Sequence, residues 1–279
     1  MVRYCLVFVL LAALAVTPAR PVLAQPTQAR SVTLGEAYDV LHAADFVDLT
    51  HTFGTDTPHS SPLKSATTTE LYSIKKDEFR VDYYCHVGQW GTHVDAPAHF
   101  HAGLKTVDQI DPKTFLLKLV VLDVHEKVAQ NPDYTVALDD VKAWEAAHGP
   151  IPEGAFVALR TDWAKRWPDQ AAMENKDAKG VAHYPGWSRE VLQYLYETRK
   201  ITASGHETLD TDPGSATTHD DYSLESYVLG LNHFQIELLD NLDRVPQSGG
   251  LVMVTFPKPS GGSGFPARIV AIVPRNPTQ

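Results

Sequence analysis

Cysteine is almost missing from this chain: Cys5 and Cys85 are all it has. Cys5 lies in an N-terminal apolar run, so once that run is removed Cys85 has no partner within the chain and an intramolecular disulfide is excluded. Cys85 then reads as a small buried hydrophobe rather than a nucleophile. Its neighbour His86 cannot pair with it as a thiolate dyad, because adjacent residues of a strand point to opposite faces. Runs of lysine and arginine are also missing. With 24 basic against 34 acidic residues the formal net charge is -10, which argues against nucleic acid as a partner. There is no G-x-S-x-G elbow, since Ser204 in TASGH lacks the first glycine, and this removes the serine-hydrolase nucleophile. The glycine-rich KPSGGSGFPAR (258–268) lacks the lysine–serine/threonine pair and the following helix of a phosphate loop, and reads as a turn or mobile flap.

What is present begins with the layout of an export signal. MVRYCLVFVLLAALAVTPARPVLAQ has Arg3, an apolar run from Cys5 to Val16, and the small-x-small site Val22-Leu23-Ala24. The run is short for a bilayer span, and no later segment is apolar enough to cross one. The expected organisation is a signal peptide at 1–24, a loose polar segment at 25–34 and a single hydrolase domain at 35–279. That domain belongs to an exported, periplasmic or secreted protein, off the membrane once the signal is removed. The apolar runs LLKLVVLDV (116–124), AFVALRTDW (155–163), LVMVTF (251–256) and ARIVAIV (267–273) read as buried strands. VALDDVKAWEAAHG (136–149) and GWSREVLQYLYETRK (186–200), with Ser188 as N-cap, read as helices. SLESYVLGLNHF (223–234) is a third helix, weakened by Gly230. Strands outnumber helices and alternate with them irregularly, which gives the α/β class: a mixed central β-sheet with flanking helices.

The densest chemistry is HVGQWGTHVDAPAHFH (86–101), with four histidines, one aspartate, two glycines and one proline. In an extended chain side chains two apart share a side, so His93 and Asp95 face the same way. An imidazole and a carboxylate at that spacing can bind one divalent cation without long-range assembly. Gln89 stands four before His93, and His99 four after Asp95. Gly88 and Gly91 let the backbone bend around an ion, and Pro97 stiffens the exit. A bound cation acidifies water and polarises a carbonyl, and an imidazole, whose charge changes near neutral pH, suits a proton shuttle.

GTHVDAPAHF resembles the signature of the metal-dependent cyclase family, which includes bacterial kynurenine formamidases and isatin hydrolases. The family motif His-x-Gly-Thr-His-x-Asp-x-Pro-x-His is matched at Gly91, Thr92, His93, Asp95, Pro97 and His99. DLTHTFGTDTPH (48–59), ALRTDW (158–163), HETLDTDPG (206–214), IELLDNLDRVP (236–246) and GSGFPAR (262–268) are similar to further family blocks. The resemblance implies a cyclase-like fold of the swivelling β/β/α type. It also implies a hydrolase that cleaves a carbon–nitrogen bond of an amide, formamide or small lactam, using zinc or manganese. It makes His93 and Asp95 metal ligands and His99 the acid/base histidine. Glu237 fits the family's later glutamate, with Gln89 at the position of its first histidine. The histidine expected twelve residues before that glutamate is Glu225 here. Oxygen donors thus stand where two imidazoles would, which leaves a single ion or a harder metal. One divalent ion, manganese or zinc, is expected, with two as the alternative.

The pocket residues follow with less support. His206 and Glu207 end a strand beside the site, His206 as ligand, substrate contact or structural residue, while Asp210 and Asp212 organise a turn. Trp90, Phe100 and Trp163 are candidates for an aromatic wall against a planar amide. His51 and His59 are further candidates for the lining, and His219 and His233 weaker ones. The chain is expected to form a homodimer or homotetramer. Competing readings are a non-catalytic exported binding protein on the same scaffold, and an ester or lactone hydrolase. Retention of His99 beside His93 and Asp95 argues for catalysis, since binding alone needs no proton shuttle.

Overall fold

Alternation along the strands decides the architecture. In β5 (Leu116–Asp123), Leu119 and Val121 face one apolar core while Val120 and Leu122 face another. Phe156 and Ala158 of β6 (Phe156–Arg160) point the first way, and Val157 and Leu159 the second. Strands buried on both faces belong to a sheet covered on both sides, so their sequences are continuous apolar runs. The structure, a computed structural model, describes Met1, residues 31–59 and residues 63–275. The expected signal segment 1–24 lies outside the described residues, as do residues 25–30 of the loose segment. Regular structure begins at Thr33, whose hydroxyl accepts from the Glu36 amide and whose own amide donates to the Glu36 carboxylate. This capping box starts the helix Leu34–His42.

The remaining strands are β1 (Asp45–Asp48), β2 (Thr67–Tyr72), β3 (Val81–Cys85), β4 (His93–Asp95), β7 (Ala203–His206), β8 (Phe234–Glu237), β9 (Gly250–Thr255), β10 (Gly264–Pro266) and β11 (Arg268–Val273). Of the eleven strands among the described residues, nine form one sheet in the order β1-β11-β9-β5-β6-β7-β8-β4-β10. Its centre, β5 to β8, is parallel, and every pairing outside that centre is antiparallel. The helices Leu138–His148, Arg189–Gln193 and Ser223–Gly230 cover the second core through Trp144, Leu192 and Val228. The mixed α/β class is therefore the observed one. The sheet also curls until its ends meet. β10 and β11 are separated in sequence by Ala267 alone, yet β10 pairs with β4 and β11 with β1 and β9. Ala267 donates its amide to the Thr92 carbonyl, and Thr50 bridges to Leu239 across the seam.

Three expectations need correction. The helix at 223–234 stops at Gly230; Asn232 then takes a left-handed φ of 66°, and Phe234 enters the sheet. The glycine-rich 258–268 segment is not wholly a flap, because Gly264–Pro266 is β10, bonded to the strand that carries His93 and Asp95. Cys85 is exposed rather than buried. It ends β3 of the β2–β3 hairpin, a separate two-stranded sheet with no core of its own to enter.

Candidate metal centre

β4 sends Val94 into the inner core and therefore His93 and Asp95 to the outer face of the sheet. The antiparallel register sets His93 opposite Glu237 and Asp95 opposite Gln235. His93 Nε2 lies 3.4 Å from Asp95 Oδ2 and 3.6 Å from Glu237 Oε2. The other ring nitrogen, Nδ1, donates to the Gly91 carbonyl at 2.8 Å, which leaves the Nε2 lone pair facing the carboxylates. Gly91 has φ 62°, and a Cβ there would lie 2.9 Å from Phe53 Cβ, so the turn into β4 requires glycine twice over. Thr92 locks the strand from behind: its hydroxyl donates to the Leu238 carbonyl at 2.5 Å and accepts from the His51 amide.

These residues form part of the lining of a cavity of about 220 Å³. His99 stands at its side, with Nε2 3.9 Å from Glu225 Oε1 and Nδ1 3.4 Å from the Gln89 amide nitrogen. Glu225 is carried in by the first turn of helix Ser223–Gly230, which Asp212 caps by accepting from the Leu224 and Glu225 amides. Asp210 accepts from the Asp212 amide and also lines the cavity. Three sets of potential ligand atoms fall within 4.8 Å of one another: His93, Asp95 and Glu237; Asp95, His99 and Glu225; Asp210, Glu225 and Glu237.

The electrostatics follow from burial. Asp95, Glu225 and Glu237 are almost wholly inaccessible, and among the described residues no lysine or arginine lines the cavity. Burial pushes Asp210, Glu225 and Glu237 well above the usual carboxylate range, and the neighbouring carboxylates, Asp95 among them, push them further. Burial opposes the charged forms of His93 and Asp95 too, yet each outweighs it for the other, so His93 is raised and Asp95 lowered. Both Asp95 carboxylate oxygens are buried with no hydrogen-bond partner. Buried carboxylates left without donors or basic side chains are stabilised by a cation. The donor set of one imidazole and several carboxylate oxygens fits a divalent metal ion. His93, Asp95 and Glu237 would hold it.

The other expected residues are placed unevenly. Phe100 and His59 line the cavity. Trp90 is buried behind it, donating to the Gly54 carbonyl and packed on His59 at 4.7 Å. Trp163 is a core residue, donating to the Met173 carbonyl, and forms no wall of the cavity. Glu207 is also displaced from the pocket. It accepts from the Thr161 amide and hydroxyl and the Trp163 amide, with burial raising its pKa to about 7 against those bonds. His206 is buried one layer out. The Trp187 indole donates to its Nδ1, so Nε2 carries the ring proton and faces Glu237 Oε1 at 3.4 Å. Burial first, with His93 adding to it, lowers its pKa to about 3. His206 Nε2 is buried beside Glu237 without a hydrogen-bond partner. Gln89 lines the cavity with its amide nitrogen toward His99. His51 stacks on Trp167 at 4.2 Å, and its Nδ1 lies 3.5 Å from Asp240. His219 and His233 donate to the Ser215 and Thr202 carbonyls and serve the fold. Sequence reading missed Asp210, taken only as a turn residue, and left Glu225 outside the ligand set. The one available signal for Glu225 was its twelve-residue spacing from Glu237.

Residues 47–213 match the Cyclase family model. The chain belongs to the Cyclase family. It is 32% identical over 245 residues to the isatin hydrolase of Roseibium aggregatum, covering 83% of this chain and 92% of that one. Among solved structures, isatin hydrolase A from Ralstonia solanacearum superposes with a TM-score of 0.80 at 31% identity, covering 90% of this cyclase and 100% of the other chain. An isatin hydrolase bound to the product analogue thioisatinate gives a TM-score of 0.79 at 30% identity, with 87% and 97% covered. The similarity thus extends over nearly the whole length of these relatives.

Proposed function

We propose that this cyclase is a metal-dependent hydrolase that cleaves the carbon–nitrogen bond of a small, planar cyclic amide of the isatin kind. The observation that carries the reading is the pair of partnerless Asp95 oxygens beside His93 and Glu237, at the base of a cavity that also presents His99. The likeness to isatin hydrolases supports it, and about 220 Å³ suits a ligand well below drug size. A divalent cation held by His93, Asp95 and Glu237 supplies a Lewis acid for the carbonyl and acidifies water. With one imidazole among carboxylate oxygens, manganese suits the site better than zinc.

The chain's own residues supply the rest. Hydrolysis adds a water oxygen to the carbonyl carbon and breaks the carbon–nitrogen bond. The electron pair leaves on nitrogen, and the proton lost by water has to reach that nitrogen. Gln89 can donate its amide proton to His99 Nδ1, which puts the exchangeable proton on Nε2, facing Glu225 and the cavity. Phe100 flanks the His99 ring edge-on at 5.1 Å and offers an apolar surface for a planar ring. The layout of residues 1–24 supports export to the periplasm or medium, which N-terminal sequencing of the protein from cell fractions would test.

The decisive experiment combines elemental analysis of protein purified without chelator with isatin turnover, for wild type and His93→Ala. Near one equivalent of manganese or zinc, lost together with activity in the variant, is the expected result. A metal-free wild type that neither gains thermal stability from added manganese or zinc nor opens any lactam would refute the hydrolase reading.

A further inference from the structure

The cavity over the candidate metal centre is rich in hydrogen-bond acceptors and poor in donors. Once ionised, Asp95, Asp210, Glu225 and Glu237 can only accept. Much of the remaining wall is apolar, Leu63, Phe100 and Leu209 among it. The donors of the lining are mostly engaged elsewhere. His59 and His93 give their Nδ1 protons to the Thr57 and Gly91 carbonyls. The Gln89 amide reaches His99 Nδ1, and His99 Nε2 faces Glu225. Tyr222 is the exception. Its hydroxyl makes no hydrogen bond among the described residues, yet the residue is held in place. Its carbonyl accepts from the Ser226 amide at the start of helix Ser223–Gly230, and its ring packs on Phe100 with centroids 6.4 Å apart. Partial burial first, then the charges of Asp210, Asp220 and Glu225, raise the phenol above its ordinary value, so the proton stays on oxygen at neutral pH.

We infer that the Tyr222 hydroxyl donates to a second carbonyl of the substrate, next to the amide that is cleaved, and so selects lactams with two adjacent carbonyls. This rests on the hydrolase reading above and narrows its substrate class. In isatin an amide carbonyl and a ketone carbonyl are neighbours on one ring. Hydrolysis adds a water oxygen to the amide carbon and breaks that carbon's bond to nitrogen, while the ketone passes through unchanged. A donor on the ketone therefore binds substrate and transition state alike, and its loss shows in KM rather than in kcat. The donor also orients. The amide oxygen has to turn toward His93, Asp95 and Glu237, and the leaving nitrogen toward His99. Packing on Phe100 leaves a flat ring free to rotate in its own plane, and a hydrogen bond to a second oxygen removes that freedom. No carboxylate of the lining can supply it, since a carbonyl oxygen needs a donor. Because Tyr222 is only partly buried, water can replace a missing partner, which keeps the effect near that of one hydrogen bond.

The test compares manganese-loaded wild type with Tyr222→Phe, which removes one oxygen and keeps the ring. That oxygen bonds nothing in the protein, so the variant should melt with wild type. Isatin turnover gives KM and kcat, and oxindole, the same ring system without the ketone, is titrated as a competitive inhibitor. The expected result is a KM for isatin raised about 3–10-fold, the worth of one hydrogen bond between neutral groups, with kcat within about twofold of wild type. The inhibition constant of oxindole and the metal content stay at their wild-type values. An unchanged KM overturns the inference, and so does oxindole weakened as much as isatin, since the hydroxyl would then not read the ketone. A wild type that opens no isatin removes the hydrolase reading and this inference with it. Turnover by wild type that Tyr222→Phe leaves untouched strikes the inference alone.

Discussion

His93 and His99 lie six residues apart but meet different surroundings. His93 is buried, its outer nitrogen committed to the Gly91 carbonyl and its inner one turned to two carboxylates. His99 is about a third exposed and lies between an amide and Glu225. Replacing His99 with asparagine should lower kcat by about 10²–10⁴-fold, the usual worth of a general acid–base group, and leave the metal content unchanged. Loss of metal in that variant would make His99 a ligand instead. Metal loading should also expel protons. His93, Asp210, Glu225 and Glu237 are all raised, so without a cation they hold protons to higher pH than usual, and a cation competes with those protons. Affinity for manganese should rise with pH, with proton release visible in titrations run in buffers of different ionisation enthalpy. At this scale GTHVDAPAHF was legible because its candidate site residues are local, two and four residues apart. Asp210 was not, because its role depends on β7, the turn after it and helix Ser223–Gly230 meeting at one point.

Among elements, the long central strands were legible and the short edge ones were not. β5 and β6 are buried on both faces and β9 and β11 on one face with the other partly covered, so all four read as apolar runs. β10 is Gly-Phe-Pro, a sequence with two residues that strands ordinarily avoid, and only its pairing with β4 makes it a strand. Gly264 is there for contact: a Cβ would collide with Gln89 Nε2 and lie 2.8 Å from the Val94 carbonyl. Gly264→Ala should cost about 1–3 kcal/mol of stability, as overpacking does, and push Gln89 off His99, so that chemical denaturation and kcat fall together. A variant with wild-type stability and turnover would show that Gln89 moves freely. A second element-scale prediction concerns the helices on the outer face. Glu145 on Leu138–His148 accepts from Arg199, Tyr194 and the Ile151 amide. Burial works against its charge, but these donors outweigh it and bring its pKa from 4.5 down to about 2. The folded state thus releases this proton more readily than the unfolded one. The stabilisation is complete above the unfolded value of 4.5 and is lost as pH falls toward 2. Glu145→Gln should melt below wild type near neutral pH, with the gap closing as the pH approaches 2.

For the molecule as a whole, composition and pattern gave the mixed α/β class, while the curl came only from the structure. Closure rests on backbone bonds at the seam, from the Ala267 amide to the Thr92 carbonyl and from the Asp240 amide to the Leu49 carbonyl, between residues more than 170 positions apart, a distance over which sequence pattern carries no signal. A chain truncated after Ser263 lacks β10 and β11, which leaves β1 with no strand partner and the outer edge of β4 open. Such a chain should be digested by protease under conditions where the intact protein survives, and a resistant fragment would show that the seam is dispensable. The same closure sets a clock. β1 is the first strand to be synthesised and waits for β11, the last among the described residues, before it can pair. Until β11 has left the ribosome the polypeptide has no finished sheet, so the native state waits for that strand. A chain in that condition is still slack enough to be threaded through a narrow pore.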